Sequence, residues 1–247
     1  MIKRLLLAAV MLSAPPVQAD NLQEVLAGAE RLPTDVARDA RSKPASILPL
    51  LELSAGDSVA DIFAGGGYYS EIIAGLVGPD GEVLLQNNAA YRAFAAAGLA
   101  QRFADRNPGA ISILDSEAQD LGLGNGTLDA ALIVMSYHDL FYDDSENGWP
   151  QIDDTDFLGQ IHTALKPGGR LLIVDHAAAP GSGVSAAQSL HRIEEAYVVQ
   201  RLAGQGFKLA GSSNALRNPD DDRSLSVFDP AIRGATDRFA LVFLKGS

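Results

Sequence analysis

The sequence predicts an α/β fold, a doubly wound seven-stranded sheet that is mostly parallel and carries an antiparallel edge strand. Three observations lead there. Short β-branched or apolar runs alternate with helical patterns from residue 58 to residue 203, the arrangement of strands wound in parallel through right-handed crossovers. The run 128–135 is apolar almost throughout, as expected of a strand covered on both faces. The last two runs, 207–212 and 239–245, are separated by a polar stretch without helical periodicity, so they are expected to pair antiparallel at one edge of the sheet.

Residues 22–53 read mostly as helix, with Pro33 and Pro44 as interruptions and Pro49 near the start of a last turn. The first strand, 58–62, runs into Ala64-Gly65-Gly66-Gly67, and a helix is expected over 68–77. Pro79-Asp80-Gly81 makes a turn, and 82–86 is the second strand. An alanine-rich helix over 91–104 precedes a third strand over 111–114 and the fourth over 128–135. The helix 153–165 opens on Asp and Thr and ends at Lys166-Pro167-Gly168-Gly169. A fifth strand over 170–175 and a helix over 189–203 follow. In such sheets ligands bind beyond the carboxyl ends of the strands, where the strand order reverses. The residues just after each strand are therefore the candidates for function.

Composition narrows the classes. The chain has 247 residues, 47% hydrophobic and 20% charged, which suits one soluble globular domain. Its formal net charge of −12 argues against nucleic acid and anionic membrane surfaces, which select basic stripes. With no cysteine, disulfides, cysteine nucleophiles, Cys-ligated zinc and iron–sulfur clusters are excluded. Lys3 and Arg4 precede a short apolar run ending at Leu12, followed by Val17-Gln18-Ala19. That order is the pattern of a secretory signal peptide over 1–19, cleaved after Ala19. Its apolar run is too short for a hydrocarbon core that needs about 20 residues. The expected product is one domain over 20–247, with an N-terminal helical segment over 20–53, free in the periplasm or secreted and not inserted in a membrane.

The string Val59-Ala60-Asp61-Ile62-Phe63-Ala64-Gly65-Gly66-Gly67-Tyr68-Tyr69 resembles the first motif of class I S-adenosylmethionine-dependent methyltransferases. Glu117-Ala118-Gln119-Asp120-Leu121, Leu128-Asp129-Ala130 and Leu165-Lys166-Pro167-Gly168-Gly169-Arg170-Leu171 follow in the family's order. The whole is most similar to an exported branch of predicted methyltransferases on a Rossmann-like fold. The resemblance implies S-adenosylmethionine as cofactor and a small-molecule methyl acceptor. It assigns cofactor contacts to Asp61, Phe63, Ala64, Gly65, Gly67 and Tyr68 around the first loop. It assigns others to Gln86 and Asn87 after the second strand, and to Glu117 and Ala118 after the third. Asp61 matches the acid that helps place the methionine ammonium, a reading preferred over the alternative that it caps the following turn. Glu117 matches the acid near the adenine amino group, or is an ordinary solvated loop carboxylate.

Two residues depart from the family pattern. Phe63 stands where the first glycine is usual, and Asn87 where an acid usually takes the ribose hydroxyls. The amides of Gln86 and Asn87 can still bond, but without the charge assistance that roughly doubles such bonds. A catalytically degenerate ligand-binding module on the same fold is therefore the alternative function. Gly65-x-Gly67-x-x-Ser70 lacks the third glycine of the dinucleotide fingerprint, which disfavours a nicotinamide or flavin oxidoreductase.

Tyr137-His138-Asp139 follows the fourth strand and Asp175-His176 the fifth. Methyl transfer gains much of its rate from alignment, and a base is required when the acceptor is protonated. His138, Asp139 and His176 are the catalytic candidates, since an imidazole titrates near neutrality. His191 maps to the same sheet edge, but no metal-ligand spacing accompanies these residues, and no metal is expected. His162 reads as structural. The acidic segments around Trp149-Pro150 and Asn218-Pro219 read as solvated loops or as a lid over the acceptor, with Trp149 and Tyr142 as its apolar face.

Overall fold

The computed structural model describes residues 19–246. The expected leader over 1–19 lies outside the described residues except for Ala19. Three short helices come first: α1 (Ala19–Leu26), α2 (Pro33–Ser42) and α3 (Pro44–Ile47). Pro33 and Pro44 open α2 and α3 rather than merely breaking one long helix, because a missing N–H costs nothing in the first turn. Lys43 between them takes the left-handed conformation.

The remaining elements alternate, β1 (Ser58–Ile62), α4 (Tyr68–Val77), β2 (Glu82–Asn87), α5 (Ala89–Phe103), β3 (Ile111–Asp115), β4 (Leu128–Val134), α6 (Asp154–Ala164), β5 (Leu165–His176), α7 (Ala187–Leu190), α8 (Glu195–Gly204), β6 (Phe207–Ser213) and β7 (Arg238–Lys245). Helix α5 starts two residues before the expected boundary because the Asn88 side chain caps it, accepting from the Tyr91 amide at 2.9 Å. Asp153 caps α6 in the same way through Thr155 and Asp156. Strand β5 begins at Leu165, which pairs with Leu128 before the register shifts to Ala130↔Arg170. The expected Lys-Pro-Gly-Gly turn is thus an excursion inside a strand.

The sheet order is β3-β2-β1-β4-β5-β7-β6. Strands β1 to β5 pair in parallel. Strand β7 is antiparallel to β5 and to β6, so the expected antiparallel pair forms at that edge, with β7 as its inner member. Alternate residues of the central strands feed two apolar layers. Ile62, Ile133 and Ile173 pack with Phe157 and Leu158 of α6 on one face. Val59, Leu132 and Val174 pack with Ile72 and Ile73 of α4 on the other. No helix among the described residues is long and apolar enough to cross a membrane.

One helical expectation fails in an informative way. Residues 189–203 do not form one helix. Helix α7 ends at Leu190, His191 turns left-handed at φ 53°, and Ile193 makes a parallel bridge to Ala177. Arg192 is fully buried and holds Asp221 through both carboxylate oxygens, at 2.8 and 3.1 Å. That long-range pair overrides local helical preference, since a buried guanidinium without its carboxylate is far costlier than a lost helical turn.

Candidate functional site

Strand order reverses between β1 and β4, and the glycine loop leaves β1 at that point. Gly67 has φ 78°, and a Cβ there would lie 2.7 Å from Leu85 Cδ1, so only glycine fits. Gly65 is also left-handed at φ 58° and faces open space. Phe63 holds φ 52°, the conformation for which the family pattern uses glycine. Strain of roughly 1–2 kcal/mol is tolerated there because the ring is built into an aromatic cluster. It stacks on Tyr91 at 5.1 Å and Phe157 at 5.5 Å between centroids, and leans on Trp149. Phe63→Gly should relieve the strain yet destabilise by about 2 kcal/mol net, because emptying a buried Phe site costs about 3–5 kcal/mol. Chemical unfolding checks this, and a neutral or stabilising result would mean that the cluster contributes little.

The amides after β2 secure the loop. Asn87 Oδ1 accepts from the Gly65 amide at 2.9 Å, and its Nδ2 donates to the Gly65 carbonyl at 3.0 Å. Gln86 Oε1 accepts from the Phe63 amide, and its Nε2 donates to Ser116. Glu117 is exposed and accepts from the Ala89 amide at the start of α5, while Ala118 is buried in the core with its carbonyl bonded to Gln160. Tyr68 donates to Asp39 at 2.6 Å and carries Arg38 over its ring. Asp61 is buried behind the loop and accepts from Ser70 Oγ at 2.6 Å. Burial pushes its carboxyl up to about 6, against the pull of Ser70 and Arg38.

The far wall is a linked set of titratable side chains after β4 and β5. Asp175, fully buried, accepts from His138 Nδ1 at 2.7 Å, from the His138 amide at 2.8 Å and from the His176 amide at 2.7 Å. His138 Nε2 lies 3.2 Å from Asp139 Oδ1, and Tyr91 donates to Asp139 Oδ2 at 2.6 Å. Burial opposes a charge on His138, but the Asp175 and Asp139 carboxylates outweigh it and raise the imidazole to about 10. Asp139 is also opposed by burial, and His138, His191 and Tyr91 hold it well below the usual carboxylate range. His176 goes the other way. Burial and then the nearby His138 and Arg238 cations drive it well below its ordinary value, with Nδ1 bonded to Thr236 Oγ1 at 2.7 Å.

The break before α8 brings His191 to this set, 3.5 Å from Asp139. Potential ligand atoms of His138, Asp139 and His191 lie within 4.8 Å of one another, with Asp175 orienting His138 as second shells of metal sites do. The fold thus assembles a His-Asp-His set that the sequence spacing does not show; a divalent cation would require His138 to give up its proton, since a metal ligand is a neutral imidazole.

A cavity of ≈ 680 Å³ joins the two walls. Phe63, Ala64 and Gly65 line it on one side, and His138, Asp139 and His176 on the other. Asp61, Gly67, Tyr68, Gln86, Asn87, Glu117 and Ala118 lie behind or beside that wall and do not line it. Both acidic segments reach the rim through Tyr142 and Trp149 from one and Val227 and Phe228 from the other. Trp149 is only 8% exposed and donates to the Asp139 carbonyl at 2.9 Å, so it is part of the floor as much as of a cover. Sequence reasoning missed Tyr91, Arg38 and Phe228 as lining residues. Tyr91 follows a strand end closely enough to have been found by that rule, whereas Arg38 on α2 and Phe228 in the polar loop carry no local signal.

No family model and no curated protein matches the chain. Solved structures do match in fold. A S-adenosylmethionine-dependent methyltransferase from Aquifex aeolicus aligns with a TM-score of 0.57 at 16% identity, covering 92% of this chain and 98% of that one. The arsenic(III) S-adenosylmethionine methyltransferase CrArsM from Chlamydomonas reinhardtii gives 0.55 at 14%, covering 95% and 75%. The [4+2]-cyclase SpnF gives 0.54 at 15%, covering 94% and 97%. The chain has the Rossmann-like fold of these enzymes.

Proposed function

We propose that the protein binds S-adenosylmethionine at the β1 loop and methylates a small-molecule acceptor held in the adjoining cavity, outside the cytoplasm. One observation supports this above the rest: a left-handed glycine loop at the reversal of strand order opens onto a cavity whose opposite wall holds His138, Asp139 and His176. The residues fit such a donor. Gly65 presents a Cβ-free edge to open space, and the Asp61 carboxylate behind it offers negative charge toward an ammonium group. S-adenosylmethionine, when bound, supplies an electrophilic sulfonium methyl. His176 stays neutral at the cavity wall; the burial and cations that keep it so also weaken it as a base, so its part is to accept a hydrogen bond from the acceptor group and hold it in line with the methyl. His138, kept protonated between two carboxylates, orients Asp139 and fixes the charge of the wall. Phe63, Tyr91 and Trp149 exclude water from one side. The leader pattern at Lys3, Arg4 and Ala19 supports export, and the acidic surface supports a partner that is neither nucleic acid nor membrane.

A second reading rests on the amides. Gln86, Asn87 and Glu117 are all committed to backbone groups, which favours a ligand-binding module with transfer lost. That a neighbour of this fold is a [4+2]-cyclase is compatible with other chemistry here too. Thermal unfolding with S-adenosylmethionine and with its demethylated product tests the donor binding on which the first reading depends. Ligand at about 100 times its dissociation constant should stabilise by about 2.7 kcal/mol. No shift with either at millimolar concentration overturns donor binding and leaves the module.

A further inference from the structure

The crevice continues past His176 into a second arm of ≈ 560 Å³, lined by Arg41, Arg233 and Arg238 with Thr236 and Ser42. The two cavities share Met135, His176, Val227 and Phe228 as a common neck. We propose that this arm is a subsite for the carboxylate or phosphate group of an anionic ligand; that the ligand is the methyl acceptor rests on the function proposed above.

The charge pattern carries the inference. Among the described residues, every arginine outside this crevice pairs with an Asp or Glu carboxylate. Arg38, Arg41, Arg233 and Arg238 form no such pair, and all four line the crevice. In a chain of net charge −12, carboxylates are abundant, so four unpaired guanidinium groups at one place are not a shortage of partners.

Arg238 is the most telling of them. It is only 8% exposed, it opens β7 opposite His176, and its Nη2 donates to the Arg41 carbonyl at 2.8 Å. Its Nε is buried without a partner. The nearest acid in sequence, Asp237, is taken by Arg223 at 2.9 Å and by the Asn218 amide. A buried guanidinium without a counter-charge is costly, and neighbouring Arg38 and Arg41 make it costlier. A ligand oxyanion supplies the missing charge, and the planar fork of arginine suits carboxylate and phosphate alike. Arm and neck together orient such a ligand, with its anionic end among the arginines and its reactive atom at His176, facing the glycine loop.

The test titrates the full chain with inorganic phosphate and with malonate against chloride at equal ionic strength, following heat release and thermal unfolding. Wild type should bind one or both anions, and Arg41→Gln/Arg233→Gln should weaken them roughly tenfold or more. Those two positions are exposed, so this variant keeps the buried Arg238 and the fold. Tighter phosphate identifies a phosphate ester as occupant, and tighter malonate a carboxylate. No anion binding in wild type, or binding that survives in the double variant, overturns the subsite. Donor binding is measured in the same proteins. If anions bind while S-adenosylmethionine and its product do not, the subsite stands and the methyl-transfer reading falls.

Discussion

Asp175→Ala is expected to lower the unfolding free energy by about 3–5 kcal/mol, the cost of breaking a buried ion pair from one side. Asp175 is fully buried and receives three donors, the ring and amide of His138 and the amide of His176. Alanine leaves all three without an acceptor in a place that water does not reach, and desolvated donors pay in full. Asp175→Asn keeps one oxygen and should cost less. Denaturant midpoints of the two variants check the order. If Ala costs under about 1 kcal/mol, the His138 wall is not held by Asp175. The same loss removes one of the two carboxylates that keep His138 protonated, so the imidazole should titrate lower in Asp175→Asn, which NMR of the ring protons would read.

Asp61→Asn should act in the opposite direction and stabilise the protein at neutral pH. The carboxyl is raised by burial from 3.8 to about 6, and each unit is worth 1.36 kcal/mol. The gain is therefore about 3 kcal/mol, with the Ser70 hydroxyl still able to donate to the Asn oxygen. The sign follows from proton linkage. Between roughly pH 4 and 6 the folded protein holds a proton on Asp61 that the unfolded chain has released. This group's contribution thus falls as pH rises through that window and is fully unfavourable above it. Between pH 4.5 and pH 7.5 the stability of wild type relative to Asp61→Asn should fall by about 2 kcal/mol, the rest of the effect lying below pH 4.5, and identical pH profiles would exclude the mechanism. Under the proposed function the stabler variant loses donor affinity, since a charge retained at such a cost serves the ligand rather than the fold.

The glycine loop, the boundaries of β1 to β4 and the C-terminal end of β5 were legible because each rests on local signals of turn residues and apolar runs; the start of β5 was not, since Leu165 joins it by pairing with Leu128. Phe63 was visible as a departure, but that its ring stacks on Tyr91 and Phe157 needs the sheet that joins residues 63, 91 and 157. The break at His191 was not legible, for Arg192 answers to Asp221, 29 positions away. The helical periodicity of 189–203 was sound as far as local forces reach. The arginine arm was hidden for the same reason, its members coming from α2, the polar loop and β7. Asp61, Gln86, Asn87 and Glu117 were singled out by the resemblance of their motifs, and the bonds their side chains make to Ser70 and to backbone groups depend on the folded sheet.

Strand β7 lies between β5 and β6, so neither of its neighbours has a complete set of backbone partners until residue 245 has been made. During synthesis the first 237 residues can collapse, yet a gap one strand wide stays open beside β5. Arg238, which faces His176 across that gap, is also the last piece of the crevice to arrive. Because β7 follows every other strand in the sequence, the last act of sheet assembly waits for it. Moving β7 to the start by circular permutation would give β5 its second neighbour as soon as β5 is made, and the sheet should close earlier in refolding than in the natural order.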